Sequence, residues 1–149
     1  VKTLLYHYYV FVVSRVVLVK VWLVRFLSLG VVVGHVFVKA RFKGRGVVEF
    51  EKILVDTGAS FTIMPLDVAE RYFIETPFTV DLKLGDGRVV KAKVFVAEGE
   101  IEGRRGPLRI MAFENAIPVV GVDTLETLGL KVDPVTGRIE KTEYYMLYI

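Results

Sequence analysis

Asp56-Thr57-Gly58-Ala59-Ser60 gathers more chemical capacity than any other stretch of this chain. The Asp56 carboxylate can take or give a proton. Thr57 and Ser60 supply hydroxyls that can hold the turn or the acid in place. Gly58 lets the backbone turn sharply and lets another backbone, or a substrate, come close. What the chain lacks narrows the field. There are no cysteines, which excludes disulfides and thiolate metal sites. His7 and His35 are the only histidines, too few for a His-rich zinc site and poor material for a Ser-His-Asp triad. Carboxylates remain. An amide hydrolysed by carboxylates alone needs two of them, one ionised to take a proton from water and one protonated to donate to the peptide. Two acids in contact cannot both ionise, so they share a proton and their titrations separate. No cofactor or metal enters this chemistry.

The elements that must carry Asp56 can be read around it. Ile53-Leu54-Val55 is an apolar run that reads as a buried strand, and Asp-Thr-Gly as a tight turn at its end. That arrangement pushes one carboxylate out of a dry core into a cleft. Upstream, residues 35–43 alternate, with Val36, Val38, Ala40 and Phe42 on one face and Lys39, Arg41 and Lys43 on the other. Gly44-Arg45-Gly46 turns this strand into a second one over Val47–Val55, so the two form a hairpin. Downstream, Phe61 to Met64 is extended, and Pro65 opens a short helix over Leu66–Tyr72. Phe61, Ile63 and Met64 suit either apolar substrate pockets or core, with core the plainer reading. Phe78 to Leu84 and Val89 to Ala97 read as strands, and Asp86-Gly87 between them is a hairpin signal.

Farther on, Glu100 to Glu102 continues outward, Gly103-Arg104-Arg105-Gly106 reads as a turn with solvated charges, and Leu108–Phe113 returns as a strand. Val119-Val120 is a short buried strand ending at Gly121. Asp123 or Thr124 is placed to cap a helix that Gly129 stops. Asp123-Thr124 lacks the glycine of the first triplet, and its place before a helix suits capping rather than catalysis. Pro134 to Gly137 is a turn, and residues 141–149 form an aromatic, strand-like tail.

The chain has 149 residues, room for one domain. Its apolar content predicts a packed core rather than disorder. The net charge is only +3, with Lys and Arg scattered among acids, so no basic face marks a nucleic-acid partner. Residues 1–33 differ from the rest: crowded with Val, Leu, Phe and Tyr, and without an acid. Arg15, Lys20 and Arg25 break every uncharged window of the roughly 20 residues that a spanning helix needs. Three readings of this extension compete: a membrane anchor or signal-anchor, an extra packed element, or an upstream stretch that the working protein lacks. Membrane association through residues 1–33 and the compartment, cytoplasmic or membrane-tethered, stay open.

Leu54-Val55-Asp56-Thr57-Gly58-Ala59-Ser60 resembles the active-site signature of aspartic proteases, and Ile117 to Leu130 resembles the apolar pair, glycine and short helix near the C-terminus of the single-domain, retropepsin-like members. The resemblance covers about Gly34 to Ile149, taken as one protease domain of residues 34–149. It implies an all-β fold: a closed β-barrel with a flap hairpin and one short C-terminal helix, acting as a two-fold homodimer. The chain carries one Asp-Thr-Gly and is about half the size of a two-lobed aspartic protease, so a symmetry mate would supply the second carboxylate. In that family two aspartates hold a water between them and share a proton, a property of the class.

Carried onto this sequence, Asp56 is the acid/base, Thr57 the hydroxyl that bonds across the dimer beneath the acids, and Gly58 the close-approach backbone position. Gly85-Asp86-Gly87 is the flap tip. Ala59, Ser60 and the tip residues are the substrate-binding candidates for an extended polypeptide that adds as a strand. Tyr144 to Ile149 matches by position the strand of the dimer sheet; its plain alternative is an internal strand or a frayed end. Two departures stand out. Ser60 and Val122 occupy positions where many retroviral members carry an Asp and an Arg, and the flap tip bears Asp86 and Arg88 where those members are apolar. The tip therefore also fits a plain solvated turn.

The function expected is that of an aspartic endopeptidase. The alternatives are a non-catalytic module of the same fold, binding peptide or serving dimerisation, and a membrane-associated structural protein dominated by residues 1–33.

Overall fold

The computed structural model describes residues 4–10, 19–25 and 35–143. Strands β1 (Leu4–Val10) and β2 (Val19–Arg25) pair antiparallel. Most of the N-terminal extension and the tail over 144–149 lie outside the described residues, and with them the readings placed there. Among the described residues no helix is long and apolar enough to cross a membrane.

The rest is organised by a seven-stranded sheet. β3 (Val36–Lys43) and β4 (Val47–Val55) form the predicted hairpin. In β3, Val38, Ala40 and Phe42 are buried and Lys39, Arg41 and Lys43 exposed, the alternation that a strand with one dry face requires. β5 (Thr62–Pro65) leads into α1 (Leu66–Tyr72), with Pro65 just before the first helical residue. β6 (Ile74–Lys83) and β7 (Val89–Ile101) make the second hairpin, and β8 (Arg104–Phe113) returns along β7. Then come β9 (Val119–Val120), α2 (Val122–Thr127) and a small pair, β10 (Leu130–Val132) with β11 (Ile139–Lys141). The order across the main sheet is β3-β4-β9-β5-β8-β7-β6, and β3 pairs a second time with β7. β7 can serve both partners because it is 13 residues long: Val89 to Val96 faces β6, and Glu98 to Ile101 faces β3.

Phe42, Phe50, Phe73, Phe95, Ile53 and Met64 sit fully buried in the main core. The Phe42 ring meets the edges of Phe50 and Phe73, with centroids 6.0 Å away in each case. A smaller apolar cluster holds Ala92, Val94 and Met111, with half-buried Phe61, Ile63, Val80, Leu82 and Phe113 packed on it. Of the three residues after the Asp56 turn that suited pocket or core, Met64 is main core, while Phe61 and Ile63 belong to this second cluster.

Several local expectations are corrected. The turn after β7 is Glu102-Gly103 alone, with φ of 52° and 74°. Two consecutive positive φ values match the strand twist, so pairing resumes at once and Arg104 and Arg105 lie in β8. They are not simple solvated turn charges: Arg104 donates to the Thr142 carbonyl at 2.9 Å, and Arg105 stands across from Glu100. β6 starts at Ile74, earlier than Phe78, because Ile74 and Glu75 already pair with Val96 and Phe95; the register shifts between Glu75 and Thr79, where Thr76 Oγ1 donates to the Val94 carbonyl at 2.7 Å. Neither Asp123 nor Thr124 caps α2; Gly121 holds that position without a side-chain bond. Gly129, with φ of 63°, follows the end of α2 as expected.

Candidate active site

Asp56 stands at the end of β4, where Val55 is buried and Asp56 itself exposed. Its amide donates to the Val120 carbonyl at 3.0 Å, fixing the strand end against β9. The chain then reverses within a few residues. Ala59 N–H donates to the Asp56 carbonyl at 3.1 Å, and Gly58 N–H donates to Asp56 Oδ1 at 2.8 Å. That last bond orients the carboxylate from its own turn. Thr57, Gly58 and Ser60 are exposed and Ala59 is half-buried. One turn thus gathers five of the eight predicted site residues, with the acid facing solvent.

The turn is clamped because β9 is inserted between the strands on either side of it. β9 runs parallel to β4, with Val55 opposite Val120, and antiparallel to β5, with Ile63 opposite Val119. Gly121, just past β9, is forced by space: an added Cβ would lie 2.3 Å from the Phe61 carbonyl carbon and oxygen. No side chain fits there, which is why a glycine ends this strand.

The start of α2 explains its missing cap. A helix leaves its first N–H groups without intrahelical partners. Here Gly121 N–H donates to Thr62 Oγ1 at 3.1 Å, Val122 N–H to the Ala59 carbonyl at 2.9 Å, and Asp123 N–H to the Ser60 carbonyl at 3.1 Å. The Asp56 turn and the residue opening β5 therefore do the work of a cap. Thr62 and Thr124 are the two buried polar residues among those described, and their hydroxyls meet at 2.7 Å. Thr62 is a residue that sequence reading passed over. A Thr in an apolar strand carried no distinguishing signal until its partners Gly121 and Thr124, far along the chain, were brought beside it.

Asp123 lies beside this frame. Its carboxylate is mostly buried, with Oδ1 lacking a hydrogen-bond partner, and Arg109 Nη2 is 3.6 Å from Oδ2. Burial pushes its pKa above the ordinary aspartate value, while the Arg109 charge pulls the other way.

Gly85, Asp86 and Gly87 form the tip of the β6–β7 hairpin. Gly87 N–H donates to the Leu84 carbonyl at 2.9 Å, and Leu84 N–H to the Arg88 carbonyl at 2.8 Å. Gly87 has φ of 87°, a conformation that suits glycine. Asp86 accepts from the Arg88 amide at 3.0 Å and from Arg88 Nε at 2.6 Å, and these bonds hold its pKa below the usual value. Among the described residues no hydrogen bond or ion pair joins the tip to the Asp56 turn. The two regions meet lower down, in the second cluster, where Val80 and Leu82 of the hairpin pack together with Phe61 and Ile63.

An oriented, exposed carboxylate on a rigid turn, with a β-hairpin rooted in the same apolar cluster, is an arrangement able to deliver acid/base chemistry to an extended chain. The aspartyl protease family model matches residues 38–123, more than half of the chain, from β3 through the first turn of α2. The search of curated proteins found no match. The match takes in the Asp56 turn, the β6–β7 hairpin and Gly121 together, and the chain belongs to the aspartyl protease family.

Proposed function

We propose that this protein is an aspartic endopeptidase that works as a two-fold homodimer, with Asp56 of each subunit contributing one carboxylate to a site on the symmetry axis. The observation that carries the reading is the exposed Asp56 side chain, held from its own turn by Gly58 N–H at 2.8 Å, on a chain with one Asp-Thr-Gly. Acid hydrolysis of an amide needs a second carboxyl group, and a symmetric partner presents an identical one at an identical turn. In the shared site one Asp56 is ionised and takes a proton from a water placed between the two acids. The other is protonated and polarises the scissile carbonyl. The water oxygen attacks the carbonyl carbon, and the resulting tetrahedral species collapses as the leaving nitrogen gains a proton.

In this reading Thr57 bonds across the dimer beneath the acids, and Gly58 allows close approach at the axis. The β6–β7 hairpin closes over a polypeptide lying extended along Ala59 and Ser60, with Gly85, Asp86 and Gly87 above it. The second pairing of β3, with β7, joins strands that are otherwise far apart in the sheet, and we read it as closing the main sheet into a barrel. Replacing Asp56 with Asn is the test: cleavage of a quenched peptide library should vanish while the fold persists, and cleavage that persists would refute the mechanism.

A further inference from the structure

We propose that Arg109 and Asp123 are a positioning pair for the Asp56 turn, a role that rests on the function proposed above. The Arg109 guanidinium lies over the Phe61 ring, 5.5 Å from its centroid, and its Nη2 is 3.6 Å from Asp123 Oδ2. Phe61 is the residue directly after Ser60, and the amide of Asp123 donates to the Ser60 carbonyl at 3.1 Å. One guanidinium on β8 therefore contacts the donor residue of the bond that anchors the outgoing limb of the turn and the residue next to its acceptor.

The cost of this arrangement argues that it has a use. Asp123 is only 21% exposed, against 63% for Arg109, and its buried Oδ1 has no hydrogen-bond partner. A carboxylate in such surroundings is unfavourable unless a counter-charge is near. Capping does not account for it, since α2 has no side-chain cap bond and its first amides are satisfied by the turn. Of the charged groups acting on Asp123, Arg109 from β8 attracts and Glu126 from α2 repels, and the backbone N–H groups of Thr124 and Thr62 also favour the charged form. Phe61, the second arm of the contact, is packed in the cluster that holds Val80 and Leu82 of the hairpin. The pair thereby ties three things together: the start of α2, the limb after Asp56, and the root of the hairpin.

Arg109→Met keeps an apolar side chain over Phe61 and removes the charge; Asp123→Asn keeps shape and removes the other. Amide hydrogen exchange of the full chain reads the effect without reference to cleavage. Arg109→Met should speed exchange of the Val122 and Asp123 amides about tenfold, with the Asp56 amide and the β7–β8 ladder unchanged, and in an Asp123→Asn background the same substitution should have no such effect. On a quenched peptide cut by the wild-type protein, kcat should fall about tenfold at unchanged KM, and Arg109→Lys should recover part of it. Below the raised pKa of Asp123 its carboxyl is neutral, and the difference in exchange between the wild-type protein and Arg109→Met should vanish. Unchanged exchange at Val122 and Asp123 overturns the proposal, as does a uniform acceleration across the fold, which would mean a purely global effect. A KM change confined to peptides with acidic residues also overturns it, because Arg109 would then be touching substrate. If Asp56→Asn still cleaves, the catalytic reading fails separately, while the exchange result stands.

Discussion

The amide of Asp123 donates to the carbonyl of Ser60 at 3.1 Å, so a helix near the end of the fold is capped by the turn that carries Asp56. Turn and helix each satisfy groups that the other would leave bare. The helix is short, 6 residues, and would not persist by itself. It forms because the turn accepts its first hydrogen bonds, and the turn is rigid because the helix start and β9 hold it.

Gly121 is the tightest point in this frame. A methyl group there would lie 2.3 Å from the Phe61 backbone, which cannot move without dragging the turn. Gly121→Ala should destabilise the fold by about 3 kcal/mol or more. Denaturant unfolding measures it, and a loss under about 1 kcal/mol would mean that the contact relaxes cheaply.

Thr62 donates or accepts in two buried bonds, with Gly121 N–H and Thr124 Oγ1. Thr62→Val keeps the shape and strands both partners. The expected cost is about 1–3 kcal/mol per orphaned buried group, recovered largely by Thr62→Ser. Thermal unfolding of the two variants side by side checks the difference.

Asp123 gives stability a pH dependence whose sign can be worked out. Its folded pKa is raised, chiefly by burial, so the folded state holds this proton more tightly than the unfolded chain does. The contribution favours folding at acidic pH and is lost as pH rises from the ordinary aspartate value of 3.8 through the raised folded value. Asp123→Asn should flatten that decline, which is read from unfolding free energies measured across this range.

At the hairpin tip, Gly87 has φ of 87° with open space around its Cα. Gly87→Ala should cost about 1 kcal/mol through backbone strain alone. If the tip covers substrate, the same variant should also alter KM on a quenched peptide. A shift in stability with unchanged kinetics would mark the hairpin as a solvated turn and no flap.

Much of this architecture was legible in the sequence because its signals are local. Alternation in Val36 to Phe42, the glycine turn at 44–46, Pro65 before a helix and Asp86-Gly87 in a hairpin each need only neighbours. The exposed turn at Asp56 was legible because an apolar strand ending in Asp-Thr-Gly is a local pattern too. The cap of α2 was misread, since its partners, Ala59, Ser60 and Thr62, are distant in the chain and local rules point to Asp123 or Thr124. In the sequence Arg104 and Arg105 look like turn residues, because charges beside glycine resemble a loop. A two-residue turn at Glu102-Gly103 keeps them in the ladder instead. The roles of Arg109 and Thr62 depend wholly on what packs against them.

The central claim is that each working site takes one carboxylate from each of two chains, and a mixing experiment tests it most directly. Wild-type and Asp56→Asn chains are co-refolded at varied ratios, and peptide cleavage is measured at fixed total protein. Activity should follow the square of the wild-type fraction, about a quarter of the full value at equal mixing, because every mixed dimer lacks one acid. Activity that falls in simple proportion to the wild-type fraction would mean that a single chain carries a complete site, and would contradict that claim.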